Sequence, residues 1–351
     1  NLKKKLLRCI YAYGFESPSV IQSKAIPVVI SGRDTIGQAQ SGMGKTGAFV
    51  ISMLQRIDCR KLDLQAIIMA PTRELADQIK RVTDSLGSYL KVKTCLCVGG
   101  TNTHDNIKEL RSGVHVVIGT PGRIQHMVES KALVGKYVKM FILDEADQML
   151  STDFKFQVRD IVDIIPKDCQ ICIFSATLAN EVLDITKKFM NDPVKILVKR
   201  EMLTLDGIKQ FFIALKKEQW KLGTLIDLYG KINVSQSIIY VNTKQKADYV
   251  VKQLREKDFT VACIHGDQAD RKQVMEDFRM GKSRVLVTTD LLARGIDIQQ
   301  VSIVINYDLP NDIASYLHRI GRSGRFGRKG VAINFICDSD ITQFRSIESY
   351  Y

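Results

Sequence analysis

Apolar residues along this chain fall in short continuous runs separated by amphipathic stretches. The runs QAIIMAP (65–71), VHVVIGT (114–120), VKMFILD (138–144) and QICIFSA (170–176) are apolar at consecutive positions rather than alternate ones. That is the pattern of parallel strands covered on both faces. Helical periodicity follows the first run over 72–87 and the last over 180–190. The same order resumes in SIIYVNT (237–243), RVLVTTD (284–290), SIVINYD (302–308) and GVAINFI (330–336). Between the two series, residues 199–207 are charged, lose the rhythm and end in Gly207. The pattern predicts an α/β chain of two domains, 1–198 and 208–351, joined by a linker at 199–207. Each domain is expected to be a mostly parallel sheet flanked by helices.

Composition agrees with two globular cores. The 351 residues are 45% apolar and 25% charged, with no apolar run of the roughly 18 residues a membrane span needs. The opening NLKKKLLRCIYAYG has no long apolar segment and no small-residue cleavage site, so no signal peptide is expected. Leu2, Leu6, Leu7, Ile10 and Tyr11 form an amphipathic stripe beside its lysines, which reads as a helix face rather than a localisation signal. The eight cysteines are scattered, mostly inside apolar runs. Cys169 and Cys172 are spaced C-x-x-C, but no second pair and no paired histidines complete a zinc set. Reduced, buried thiols are expected. The formal charge is +13, with 29 basic against 20 acidic residues in 1–200 and 22 against 18 in 201–351. Both halves are basic, which favours a polyanionic partner held across both.

Three motifs carry chemistry. AQSGMGKT, Ala39 to Thr46, lies between a strand at 34–38 and a helix from 44 onward, where a phosphate-binding loop belongs. Ser41, Gly42 and Gly44 let backbone N–H groups turn toward phosphate oxygens. Lys45 brings a point charge to the β/γ-phosphates, and the Thr46 hydroxyl is placed for Mg²⁺. The strict pattern has Gly where this chain has Ala39, and a chance Gly-rich turn is the competing reading. The second motif, FILDEADQML, ends an apolar strand in Asp144-Glu145-Ala146-Asp147. There Asp144 can hold Mg²⁺ and Glu145 can orient or deprotonate an attacking water; an acidic helix N-terminus is the alternative. The third, HRIGRSGRFGRKG (318–330), repeats arginine at 319, 322 and 325. This spacing suits guanidinium groups presented to a transferred phosphoryl group, or else a basic RNA-binding patch.

Together GFESPSVIQ (14–22), AQSGMGKT, PTRELADQ (71–78), TPGR (120–123), DEAD, SAT (175–177), TTDLLARGID (288–297) and HRIGRSGR resemble the DEAD-box ATP-dependent RNA helicases, in order and along the whole chain. YAYGFESPS, KMFILDEAD, TLDGIKQF and SIVINYDLP followed by GRFGRKGVAIN are most similar to the family's translation-initiation branch. A nuclear exon-junction paralogue, acting as an ATP-dependent RNA clamp, is the alternative. The resemblance implies two RecA-like domains that use ATP and Mg²⁺, with Arg322 and Arg325 reaching ATP on domain closure. It implies that Gln22 reads the adenine edge while Phe15 and Phe326 cover its faces, and that Asp297 binds the ribose. RNA backbone contacts are implied at Pro71, Thr72, Arg73, Gly99, Gly100, Thr120, Gly122 and Arg123. In the second domain they are implied at Asn242, Thr243, Gln268, Arg271 and Thr288. Asp147, Ser175, Thr177 and His318 would couple the domains. HGDQADR (265–271) is about two residues shorter than the family's usual form. The resemblance also implies sequence-independent RNA binding, a scaffold partner of the translation-initiation 4G type, a monomeric state and a cytoplasmic or nuclear location.

Overall fold

A computed structural model describes residues 2–39, 42–150, 154–178, 180–197, 208–232, 234–266, 268, 270–290, 301–323 and 330–350. The chain divides into two compact units, 1–199 and 200–351. The linker expected at 199–207 lies outside the described residues, as do Ser41, Asp297, Arg325 and Phe326.

In the first unit seven strands form one sheet: β1 (Thr35–Gln38), β2 (Ala66–Met69), β3 (Thr94–Cys97), β4 (Val116–Gly119), β5 (Met140–Asp144), β6 (Gln170–Ser175) and β7 (Val194–Leu197). Their order is β3-β4-β2-β5-β6-β1-β7, and every described pair is parallel. Because side chains alternate along a strand, each face receives its own layer. Ala66 and Ile68 join Ile142 and Phe174 under the helices Val20–Ile30, Lys45–Arg56 and Arg73–Gly87. Ile67 and Met69 join Phe141 and Ile173 under Pro121–Glu129 and Lys155–Ile164. The helix Lys4–Ala12 buries Leu6 and Cys9 and packs Leu2 and Ile10 against the core, but Leu7 and Tyr11, expected on the same stripe, are exposed.

The second unit repeats the plan with β8 (Ile208–Leu215), β9 (Ser237–Tyr240), β10 (Val261–Ile264), β11 (Val285–Thr288), β12 (Ile303–Asn306) and β13 (Gly330–Cys337). The order is β10-β11-β9-β12-β13-β8, again with parallel pairs. Its two cores lie on either face of this sheet. All eight cysteines are free, and all but Cys59 are buried. Among the described residues no helix is long and apolar enough to cross a membrane.

Candidate functional site

In a parallel sheet every strand ends at the same edge, so its following loops converge there. In the first unit the strand order sorts these loops into two groups. Those after β1, β5 and β6 carry AQSGMGKT, DEAD and SAT; those after β3, β4 and β2 carry the candidate RNA contacts.

The phosphate loop turns back through Gly42 (φ +83°) and Gly44 (φ +90°), left-handed conformations that strain any residue with a Cβ. Gly44 caps the helix Lys45–Arg56, so free N–H groups at the helix start face the loop. Lys45 is buried and its Nζ donates to the Ala39 carbonyl at 2.9 Å. Thr46 is half-buried in the first turn. Gln22 packs against this loop. Its side-chain oxygen accepts from Ser19 N–H at 2.9 Å, and its Nε2 donates to the Gly44 carbonyl at 3.2 Å. A primary amide has two donors and two lone pairs, so one of each is left for a base edge. A Cβ on Gly47 would lie 2.6 Å from Gln22 Nε2 and 3.2 Å from the Phe15 ring, so that glycine is what lets the two approach. Ser19 and Gln22 form a capping box at the start of Val20–Ile30, a signal present in the sequence as S-x-x-Q.

Of the DEAD carboxylates, Asp144 and Glu145 are buried at the end of β5 and Asp147 is half-buried. Asp144 Oδ1 accepts from the Glu145 N–H at 3.0 Å, and Glu145 itself adopts φ +50°, a left-handed conformation that costs about 1–3 kcal/mol for a residue with a side chain. Burial, then the Glu145 charge, push the Asp144 carboxyl up to about 7, with the Lys45 ammonium opposing. Thr177 Oγ1 donates to Asp147 Oδ2 at 2.6 Å, and Thr177 N–H donates to Ser175 Oγ at 3.3 Å. The backbone of Ala39 donates to the Ser175 carbonyl at 3.1 Å. One chain of hydrogen bonds therefore joins the phosphate loop, SAT and DEAD.

On the other half of the edge, Thr72 caps the helix Arg73–Gly87, and Pro71 is buried beside it. The Arg73 guanidinium lies over Gly99 and Gly100; a Cβ on Gly99 would come within 3.0 Å of it. Thr120 occupies the N-cap position of Pro121–Glu129 without a side-chain capping bond, and Gly122 is open to solvent. Arg123 Nη1 donates to Asn106 Oδ1 at 2.8 Å, and its Nη2 donates to the Thr101 carbonyl at 2.9 Å. Asn106 and Thr101 are positioning residues absent from the sequence reading, since neither belongs to a recognisable motif.

In the second unit Asn242 and Thr243 follow β9, Gln268 and Arg271 follow β10, and Thr288 ends β11, three neighbouring strands. Thr243 caps the helix Lys244–Arg255 and Arg271 opens the helix Arg271–Arg279. The Thr288 hydroxyl is fully buried and donates to the Ile264 carbonyl at 2.8 Å. Of the triplet-spaced arginines, Arg319 and Arg322 are described, and Arg319 is not presented to phosphate as the spacing suggested. Arg319 is completely buried and holds Asp290 with two bonds of 2.5 and 2.8 Å. It also donates to the Asp308 carbonyl at 2.7 Å and to Asn242 Oδ1 at 2.8 Å. Asn242 in turn donates its N–H to Asp308 Oδ2 at 2.9 Å. Arg319 therefore fixes Asn242 rather than reaching outward. Arg322 Nε donates to the His318 carbonyl at 3.0 Å, and both side chains are buried.

Residues 19–185 match the DEAD/DEAH box helicase family and residues 220–327 the helicase conserved C-terminal domain. The chain is 55% identical to "ATP-dependent RNA helicase eIF4A" of Schizosaccharomyces pombe, covering 100% of this chain and 90% of that protein. It is 54% identical to "Eukaryotic initiation factor 4A" of Caenorhabditis elegans, covering 100% of this chain and 88% of that one. Among solved structures, Saccharomyces cerevisiae Dbp5 bound to RNA and ADP BeF3 superposes with a TM-score of 0.93 at 39% identity, covering 100% of this chain and 92% of that one. Mss116p bound to ssRNA and AMP-PNP superposes with a TM-score of 0.89 at 28% identity, covering 99% and 75%. With both helicase halves matched and the identity sustained from end to end, the chain belongs to the DEAD-box ATP-dependent RNA helicases.

Proposed function

We propose that this helicase acts in translation initiation, where it uses ATP to open short RNA duplexes gripped by their backbones. The names of its relatives support initiation over the exon-junction clamp. The observation that carries the chemistry is the buried Asp144–Glu145 pair at the sheet edge it shares with Lys45. A carboxyl raised by burial and by a neighbouring carboxylate is a donor set that a divalent cation suits. Asp144 and Thr46 would hold Mg²⁺, which when bound neutralises charge on the phosphates. The Lys45 ammonium exchanges the Ala39 carbonyl for phosphate oxygens. Gln22 offers its remaining donor and lone pair to adenine, with Phe15 and Phe326 against its faces and Asp297 at the ribose. Glu145 orients the attacking water and takes its proton. Arg322 and Arg325 supply charge to the transferred phosphoryl group when RNA and ATP draw the two units together.

RNA is held through Pro71, Thr72, Arg73, Gly99, Gly100, Thr120, Gly122 and Arg123, and through Asn242, Thr243, Gln268 and Arg271, while Thr288, expected among them, is buried and bonded to the Ile264 carbonyl. Such backbone and 2′-OH contacts carry little sequence preference. Asp147, Ser175, Thr177 and His318 relay nucleotide state between the units. The protein works as a cytoplasmic monomer that docks on a 4G-type scaffold.

Replacing Glu145 by Gln tests the assignment. The amide keeps the shape but cannot take a proton, so RNA-stimulated turnover is expected to fall on the order of 10²-fold or more while ATP and RNA binding persist. Gel-shift assays with ATP should then show an accumulated RNA complex; parental turnover would remove Glu145 from the mechanism.

A further inference from the structure

Strand periodicity puts Cys263 on β10 and His265, two positions later, on the same face of the second sheet. The helix Lys244–Arg255 packs on that face and brings Asp248 over the pair. His265 Nε2 lies 3.0 Å from Asp248 Oδ1. The Cys263 sulfur, an imidazole nitrogen and an Asp248 carboxylate oxygen all lie within 4.8 Å of one another. Ligands of a tetrahedral ion with bonds of 2.0–2.3 Å sit roughly 3.3–3.6 Å apart, so the three need to close by only about 1 Å.

Two further observations separate this group from an ordinary core histidine. His265 is 7% exposed and turns its Nε2 toward Asp248, and Gln268 Oε1 beside it has no hydrogen-bond partner among the described residues. A cavity of about 500 Å³ opens beside the group, lined by Asp248, Cys263 and Gln268 together with Lys252 and Arg255.

We propose that Cys263, His265 and Asp248 bind a divalent transition-metal ion of the zinc class, with the fourth position facing this cavity. The donor set of one thiolate, one imidazole and one carboxylate suits zinc and cobalt, whereas magnesium and calcium prefer oxygen ligands throughout. Of the cavity's two cations, Lys252 is offset by Glu256, and Arg255 already donates to the Val261 carbonyl at 2.9 Å. A reactive cysteine is the competing reading, but Cys263 is buried on β10, where a reagent has little access to its sulfur. Binding exchanges the thiol proton for the metal.

Co²⁺ titration of the full chain without nucleotide tests this site, because a thiolate ligand gives a near-ultraviolet charge-transfer band. One equivalent should bind with that band, and Zn²⁺ should abolish it. Cys263→Ser should lack the band, with an unchanged circular-dichroism spectrum as the check of folding. Asp248→Asn alters a side chain at the surface and should weaken Co²⁺ binding about tenfold or more. No band at stoichiometric Co²⁺, a band that survives Cys263→Ser, or unchanged affinity in Asp248→Asn would each overturn the proposal.

Discussion

Single residues at the nucleotide loop are held to close tolerances. Gly44 has φ +90°, and a Cβ there would lie 2.7 Å from Gln22 Nε2 and 2.9 Å from Ser19 Oγ. Neither atom is a loose side-chain end, because both belong to the capping box that starts the helix Val20–Ile30. Gly44→Ala therefore combines a left-handed penalty of about 1–2 kcal/mol with a displaced Gln22. Nucleotide affinity, measured by titration with a fluorescent ATP analogue, is expected to fall tenfold or more. An unchanged affinity would mean that Gly44 and Gln22 do not shape the nucleotide site. The residue types of the loop were legible in the sequence. The internal partners of Lys45 and Gln22 were not, because a motif states which groups are present and not what they bond to when ATP is absent.

Elements were legible where both faces of a strand are buried. β2, β4, β5 and β6 are continuous apolar runs with every position buried, and each appears in the sequence as such. β7 and β8 are outer strands whose side chains are largely exposed, so VKIL and IKQFFIAL mix lysine and glutamine into the apolar pattern and escape it. β3 and β10 are the outer strands at the opposite edges, and cysteine, threonine and alanine in TCLC and VACI dilute the apolar signal that the equally short β2 and β4 carry. The arginine triplet shows the same limit at its first position. Spacing alone suggested three outward guanidinium groups, but the helix Ile313–Ile320 turns Arg319 inward onto Asp290 and Asn242. Replacing it with lysine keeps the charge and loses the planar fork. Arg319→Lys is expected to lose roughly 1–3 kcal/mol of stability in denaturant unfolding, because the Asp308 carbonyl and Asn242 Oδ1 lose their donor. A change below about 0.5 kcal/mol, as at an ordinary surface site, would contradict its role as the clamp on Asn242.

At the scale of the whole molecule, the chemistry is divided along the chain. Lys45, Asp144 and Glu145 belong to the first unit, and Arg322 and Arg325 to the second. That division was legible because each unit repeats the same strand–helix rhythm with its own motifs. The central claim is that ATP held by the first unit turns over only when RNA recruits the second unit's arginines. The most direct test is steady-state ATP hydrolysis at saturating single-stranded RNA, comparing the parent chain with Arg325→Lys. The account expects the parent to be RNA-stimulated, and the variant to lose on the order of 10²-fold or more of that rate at unchanged nucleotide affinity. Equal RNA-stimulated rates in the two proteins would contradict it.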